Sequence, residues 1–479
     1  MSNMLINGTW RESLNHERIT VHNPATGKVV DYVPSADKSD AIQAVDAAMQ
    51  ARVTMKTIPV HQRSAILEKT AQRILEEKES LAKLLVQENG KTIKQCLFEI
   101  ETTARIFQAF AEEGKRMFGT VIPLDTIPNL EKSIAMTIRQ PLGIVVGIVP
   151  FNYPVELWAH KAAPIIASGN AGIYVLPAEC PLTILKIAAI IIECGLPAGC
   201  AQYLTGYGSR FGDILVTHPE VNAVSFTGGV ETAKIINMQA APHLKKVFLE
   251  LGGVDPIIVC PDADLTLAAE AVVVGRLTNG AGQICCAVKR IIVDDLVYDD
   301  FIIKLSEKLA AIQSGDPMHN TTDIGPLINR KAAENVHKQV EKSLQQGAKL
   351  LMGGHLGDGN YYPPTLLVDV NNEMSVMTEE VFGPVAPVYR AKDLNDAIRV
   401  ANASSFGLQA GIFTQDINLA FKLAMEIEVG GVMINGTTAF RPGNVPFGGW
   451  KMSGLGRESF IDTLNEFTQS KTIVFNQVL

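Results

Sequence analysis

Two adjacent thiols, Cys285 and Cys286, follow a run of small residues, Gly280-Ala281-Gly282. The thiolate is the nucleophile in cysteine chemistry, so a reactive cysteine needs exposure, a depressed pKa or a neighbouring base. The same pair also fits an inert place in a core, as most free cysteines do. Glu250 ends the stretch Phe248-Leu249-Glu250-Leu251, just before Gly252 and Gly253. A buried carboxylate there is costly unless it is paired or at work, and a salt-bridged turn glutamate is the plainer account. Asn152 lies in Pro150-Phe151-Asn152-Tyr153-Pro154, after the most continuous apolar run of the chain. Its amide can donate to an oxyanion, or it can serve a turn between prolines. Phe226-Thr227-Gly228-Gly229 stands between a strand pattern and a helix pattern. Two glycines there let the backbone approach a phosphate at a helix N-terminus, and an ordinary tight turn has the same pattern. A complete G-x-G-x-x-G is missing, because Gly206, Gly208 and Gly212 have the wrong spacing.

The elements that must position these residues are legible in outline. The N-terminal stretch carries turn signals at Asn7-Gly8 and Asn23-Pro24-Ala25-Thr26-Gly27, which predict small strands or hairpins. From Ser39 apolar residues recur at helical spacing up to a stop at Asn89-Gly90, and a second long helix is expected from Ile93 to Met117. Gly143 to Val149 is a continuous apolar run, the mark of a strand covered on both faces. Strand and helix patterns then alternate to Leu251, which predicts a parallel sheet with helices on both faces and a ligand at the carboxyl ends of its strands. A looser alternation follows, with helices expected at 268–275, 301–312 and 331–346 and a strand at 366–368, so a second α/β lobe is expected.

Composition excludes several classes. The chain has 479 residues, of which 47% are hydrophobic and 19% charged, enough apolar material for a large core. With 42 Lys and Arg against 50 Asp and Glu, the net charge is 42 minus 50, or −8. That balance disfavours nucleic acid as a partner. The longest apolar stretches are broken by proline and glycine, so no membrane span is expected. Residues 1–10 lack the basic and apolar regions of a secretory leader. Seven cysteines, an odd and sparse count, argue for free thiols in a reducing, cytoplasmic setting. None has zinc-ligand spacing, so no metal is expected.

Taken in order, these motifs resemble the NAD(P)-dependent aldehyde dehydrogenase superfamily over nearly the whole chain. The resemblance includes Gly195-Leu196-Pro197, Ser225-Phe226-Thr227-Gly228 and Leu249-Glu250-Leu251-Gly252-Gly253. It continues through Gly282-Gln283-Ile284-Cys285, Gly325-Pro326-Leu327 and Glu379-Glu380-Val381-Phe382-Gly383-Pro384. It closes with Pro446-Phe447-Gly448-Gly449-Trp450-Lys451 and Gly454-Leu455-Gly456-Arg457-Glu458.

The resemblance implies a Rossmann-like parallel-sheet cofactor domain (1–118 and 142–251), an α/β catalytic domain (252–445) and a small β oligomerisation arm (119–141 and 446–479). It implies a homodimer or homotetramer acting on a small aldehyde. Cys285 is then the nucleophile, Asn152 with the Cys285 N–H the oxyanion donors, and Glu250 the base for hydrolysis of a thioester. Val149, Phe151, Glu179, Phe226, Gly228, Gly229, Leu251, Glu380 and Phe382 fall at cofactor-binding positions, and a carboxylate at Glu179 favours NAD over NADP. Tyr153, Glu156, Leu157, His160, Cys286 and Phe440 fall in the substrate tunnel, where the polar Glu156 and His160 suggest a small polar aldehyde. Arg441 fits either a substrate anion or a structural ion pair. Leu176, Gly229 and Val254 replace a Lys, a Ser and a Lys usual in the family, and Phe151 a Trp, which implies weaker NAD binding than is typical. Two other readings share the fold: a relative that passes the acyl group to CoA, against which Glu250 argues, and a scaffold without redox function.

Overall fold

The computed structural model describes residues 2–477. Its first sheet is built around five parallel strands, in the spatial order Ala201–Leu204, Ala171–Val175, Ile144–Ile148, Ala223–Thr227 and Lys246–Glu250. In chain order this is 3-2-1-4-5, so the connections diverge between Ile144–Ile148 and Ala223–Thr227. Such a divergence opens a crevice at the carboxyl ends of the strands. Asn152 and Gly228 stand in the loops that leave those two strands. The strands read as apolar runs because helices cover both faces; Ile144, Val145 and Val146 have no exposed surface.

The helices follow their local signals. Asp37 caps Lys38–Thr57, its side chain accepting from the N–H groups of Ser39 and Asp40 while Asp40 accepts from the Asp37 N–H. Lys78–Asn89 ends at Gly90, whose left-handed φ of 86° suits glycine. The second long helix runs Ile93–Glu113 and tightens into a 3-10 turn at Gly114–Arg116, where Gly114 passes close to Ala167.

A second sheet of seven strands carries the rest, in the order Lys349–Met352, Thr365–Val368, Val385–Ala391, Val288–Asp294, Asp255–Val259, Gln409–Phe413 and Gly431–Ile434. All its pairs are parallel except that of Lys349–Met352. The helix expected at 268–275 is Leu265–Val272, and it passes into a π-turn at Val273–Thr278 that aims the chain toward Cys285. Helices Tyr298–Ala310 and Arg330–Gln345 lie close to expectation. The two sheets with flanking helices form the α/β fold expected from the sequence.

The arm differs from its expected extent. A three-stranded antiparallel sheet joins Val121–Pro123, Ile134–Pro141 and Thr468–Phe475. Residues 446–467 lie elsewhere. Trp450–Lys451 pairs with Phe406–Gly407, and Gly454–Leu455 pairs with Leu249 and Glu250 on the edge of the first sheet. Glycine permits that approach, since a Cβ on Gly454 would sit 2.3 Å from the Leu249 carbonyl oxygen. Helix Phe460–Glu466 then buries Leu464, and with it Phe467, in the first core. Apolar residues that need a core pull this segment inward, and only the largely exposed strand after Phe467 is left to the arm. Among the described residues no helix is long and apolar enough to cross a membrane.

Candidate active site

Cys285 hangs from a strained loop. Gly280, Ala281 and Gly282 have φ of 55°, 51° and 74°, and a left-handed alanine costs roughly 1–2 kcal/mol. Buried Arg276 holds the loop, donating to the carbonyls of Gly282, Val381 and Val385 and so tying it to the segment of Glu380 and Phe382. Gln283 adds a bond to the Gly280 carbonyl and receives one from the Ile328 N–H. Lys289 donates to the Cys285 carbonyl and Thr438 to that of Cys286. The Cys285 N–H has no acceptor among the described residues.

The two thiols differ sharply. A hydrogen bond from Cys286 lowers the Cys285 pKa to about 7 against the opposing effect of burial, with the Arg441 and Lys289 charges adding to it. The same bond and burial push Cys286 well up. Cys286 is almost fully buried, whereas Cys285 keeps some exposure. A partly exposed thiol with a depressed pKa is the reactive kind.

Asn152 reaches the same place from the other sheet. Its Nδ2 donates to the Gln283 carbonyl at 2.9 Å, which uses one of two amide hydrogens. Its own carbonyl accepts from Lys91 Nζ at 2.6 Å. Lys91 is paired in turn with Glu99 and sits 3.7 Å from the centre of the Tyr153 ring. Glu99 accepts from the N–H groups of Val155 and Glu156 at the start of helix Pro154–Ser168, and Asn89 and Cys180 both donate to the Phe151 carbonyl. The Asn152 loop is thereby braced on both sides.

Glu250 lies apart. It ends strand Lys246–Glu250, and its carboxyl group occupies a small adjoining void with Glu458 and Arg457, against Gly448. Burial raises its pKa well above the usual range and Glu458 adds to this, while Arg441 and Lys161 oppose it; the Cys285 charge is also felt there. Its Oε2 has no hydrogen-bond partner among the described residues.

One cavity of about 790 Å³ takes in Cys285, Asn152 and every expected tunnel residue: Tyr153, Glu156, Leu157, His160, Cys286 and Phe440. Phe440 and Phe98 stand exposed at the rim. Burial drives the His160 pKa down to about 3, so its ring is neutral. Arg441 also lines the cavity and is ion-paired with Glu458.

The cofactor positions gather at the carboxyl edge of the first sheet. Val149, Phe151 and Glu179 follow two of its strands; Phe226 lies near the end of a third with Gly228 and Gly229 just after it, and Leu251 follows a fourth. Helix Val230–Ala240 begins at Gly229 with no side chain capping it, and nothing stands within 4 Å of a Cβ placed on Gly229. Open space before free N–H groups fits a pyrophosphate. Glu179 is half-buried, and its carboxylate has no partner among the described residues. Glu380 is held by Lys289 at 3.0 Å and by the Gly253 N–H at 3.3 Å. A Cβ at 252 would lie 2.1 Å from Glu380 Oε2, so a larger residue there would displace that carboxylate. The Phe382 ring meets that of Phe151 edge-on at 6.0 Å. Leu176, by contrast, is 1% exposed in the first core and faces no cleft.

Sequence reasoning passed over Lys91, Glu99 and Lys161. Lys161 is buried and donates to the hydroxyls of Ser225 and Thr227 at 3.1 and 2.8 Å. For Lys161, a lysine within a largely apolar helix was the available signal.

A polarised thiol set at the switch point of a doubly wound sheet defines the class, an oxidoreductase that joins cysteine chemistry to a dinucleotide. The model of the Aldehyde dehydrogenase family matches residues 10–473, and the chain belongs to that family. Among its relatives, 3-sulfolactaldehyde dehydrogenase of Priestia megaterium is 39% identical over 474 residues, covering 99% of this chain and 98% of its own. Lactaldehyde dehydrogenase of Methanocaldococcus jannaschii is 39% identical over 478 residues, covering 99% and 100%. The solved structure of NADP-dependent glyceraldehyde-3-phosphate dehydrogenase from Bacillus halodurans C-125, complexed with NADP, superposes with a TM-score of 0.96 at 38% identity, covering 99% of each chain.

Proposed function

We propose that this aldehyde dehydrogenase oxidises a small polar aldehyde to its carboxylic acid, with Cys285 as nucleophile, Asn152 as oxyanion donor and Glu250 as the base for hydrolysis. The observation that carries this reading is the convergence of Cys285 and Asn152 on one cavity from two different sheets, locked by the 2.9 Å bond to Gln283. The Cys285 thiolate attacks the aldehyde carbon, and the oxyanion is received by the free Asn152 amide hydrogen and the Cys285 N–H. A nicotinamide, when bound at the carboxyl edge of the first sheet, would supply the hydride acceptor for oxidation of the Cys285 thiohemiacetal to a thioester. Glu250 rotates out of its void toward Cys285 and takes a proton from water, whose oxygen attacks the thioester carbon. The C–S bond breaks, the acid leaves and the thiolate returns. Turnover of a panel of short aldehydes with NAD or NADP, followed by absorbance of the reduced cofactor, tests the assignment. No turnover with any aldehyde at millimolar cofactor overturns it, and a requirement for CoA replaces water as acyl acceptor.

Asn152→Ala is expected to lower kcat about 10²–10³-fold, the usual loss for one oxyanion donor, with little change in KM. A change confined to KM would remove Asn152 from that role.

Phe382 and Phe151 would flank the nicotinamide and Glu380 its ribose, with Gly228 and Gly229 at the pyrophosphate. Glu179, unpartnered in the loop after its strand, opposes a 2′-phosphate, so NAD is the preferred cofactor here although several solved relatives hold NADP. With Leu176 buried and Gly229 lacking a hydroxyl, two polar contacts to the cofactor are absent, and NAD binds more weakly than is usual in the family. Glu179→Gln is expected to raise kcat/KM with NADP about tenfold by removing one like charge. Unchanged cofactor preference in that variant would place the determinant elsewhere.

The arm supplies the surface for a homodimer or homotetramer. Val121, Ile122, Val474 and Phe475 are exposed apolar residues on its strands. Seven free thiols suit a reducing cytoplasm.

A further inference from the structure

Glu156 is the unanswered charge of the cavity. It lies in the first turn of helix Pro154–Ser168, lines the cavity beside His160 and Arg441, and its carboxylate has no hydrogen bond or ion pair with any described residue. Among the other polar groups of the wall, Thr102 Oγ1, Asn152 Oδ1 and His160 Nδ1 have no hydrogen-bond partner among the described residues, but none of them carries a charge. Arg441 is paired with Glu458 and stacks 4.1 Å from the centre of the Phe447 ring. The Tyr153 hydroxyl donates to Asn279, and Gln95 donates to the Thr278 carbonyl at 2.9 Å. Lys94 and Arg105 are exposed at the cavity's edge, where water screens them.

The groups that act on Glu156 electrostatically are Arg441, Glu99, Lys91 and Glu458. Lys91 answers Glu99, and Arg441 answers Glu458. Once these pairs cancel, an incoming anion meets the Glu156 carboxylate and no free cation inside the cavity. An incoming ammonium is drawn to Glu156, but it is a donor only and finds further donors, not acceptors, on the Arg441 side of the wall. A hydroxyl group suits both walls, since it donates to Glu156 and accepts from the remaining Arg441 N–H groups.

We propose that Glu156, with Arg441 on the same wall, selects neutral hydroxylated aldehydes and rejects aldehydes that carry a carboxylate, phosphate or sulfonate. The selection rests on the reading of this cavity as the substrate site. It works mostly by repulsion, a half-buried like charge set against the wrong substrate. A hydroxyl that satisfies a buried polar group also separates the substrate from its apolar analogue.

The test is kcat/KM of the purified protein for four probes: glyceraldehyde, propanal, succinate semialdehyde and 3-aminopropanal. Glyceraldehyde is expected to exceed each of the other three by about tenfold or more. In Glu156→Gln, the ratio of succinate semialdehyde to propanal is expected to rise about tenfold, mainly through KM, because one like charge is gone. In the unmodified protein the KM for succinate semialdehyde should climb as pH passes through about 7, where Glu156 ionises because burial raises its pKa against the pull of Arg441. The glutamine variant should lose that climb. A preference for succinate semialdehyde in the unmodified protein, or an unchanged ratio in a variant that melts like the parent, overturns the proposal. A preference for 3-aminopropanal overturns it in favour of a cation site. Silence with all four probes would instead sink the broader assignment of Cys285 chemistry.

Discussion

Cys285→Ala is expected to lower kcat/KM at least about 10⁴-fold for every aldehyde, the scale of losing a covalent nucleophile. No other group on the cavity wall can replace it. Cys286 has a supporting role instead, because its thiol lowers the Cys285 pKa while its own is driven well up by the same interaction and by burial. Cys286→Ala should therefore leave measurable turnover while weakening the thiolate. Alkylation by iodoacetamide separates the two roles. Since Cys285 titrates at about 7, its inactivation rate should rise as pH increases through that value, the thiolate being the reactive form. Loss of Cys286 removes the largest stabilising contribution and should move the midpoint upward. Full activity in Cys285→Ala, or a midpoint that stays in place without Cys286, would refute this account of the site.

Glu250→Gln should split the reaction in two. Acylation needs Cys285 and Asn152, which the variant keeps, so one equivalent of reduced cofactor should still form rapidly in a burst. Hydrolysis lacks its base, so steady turnover should fall about 10²–10⁴-fold, the span of general-base contributions. The resting position of Glu250 adds a pH signature. Burial, and then Glu458, raise its pKa, so the carboxylate form gains population as pH rises. The steady rate of the parent should climb over that range, and the glutamine variant should lack the climb. A burst that disappears together with the steady rate would show that Glu250 acts before the thioester forms.

The chemistry-bearing residues are legible in one dimension because the signals that mark them are local. The apolar run Ile144–Ile148 announces a doubly covered strand, and Asn152, four residues beyond it, has to lie at the carboxyl edge. Gly228 and Gly229 between strand and helix mark the second loop of the crevice. Ordered motifs from Asn23 to Glu458 point to the family, and the family model spans the same stretch. Cys285 and Cys286 are adjacent in the sequence, yet only the fold separates a polarised thiol from a buried donor.

Other features depend on contacts that no periodicity reveals. The bond from Asn152 to Gln283 joins residues 131 apart, and the one from Lys91 to Asn152 joins residues 61 apart. The void that holds Glu250 is closed by Glu458 and Arg457 from the far end of the chain. Residues 446–467 read as part of the arm and cover the first sheet instead. The order of residues is enough to say which side chains carry the chemistry and which strands end beside them, because helix and strand patterns reach only a few positions along the chain. Packing in three dimensions settles which charges are answered and which, like Glu156, are left facing the cavity, because desolvation and ion pairing depend on what surrounds a group.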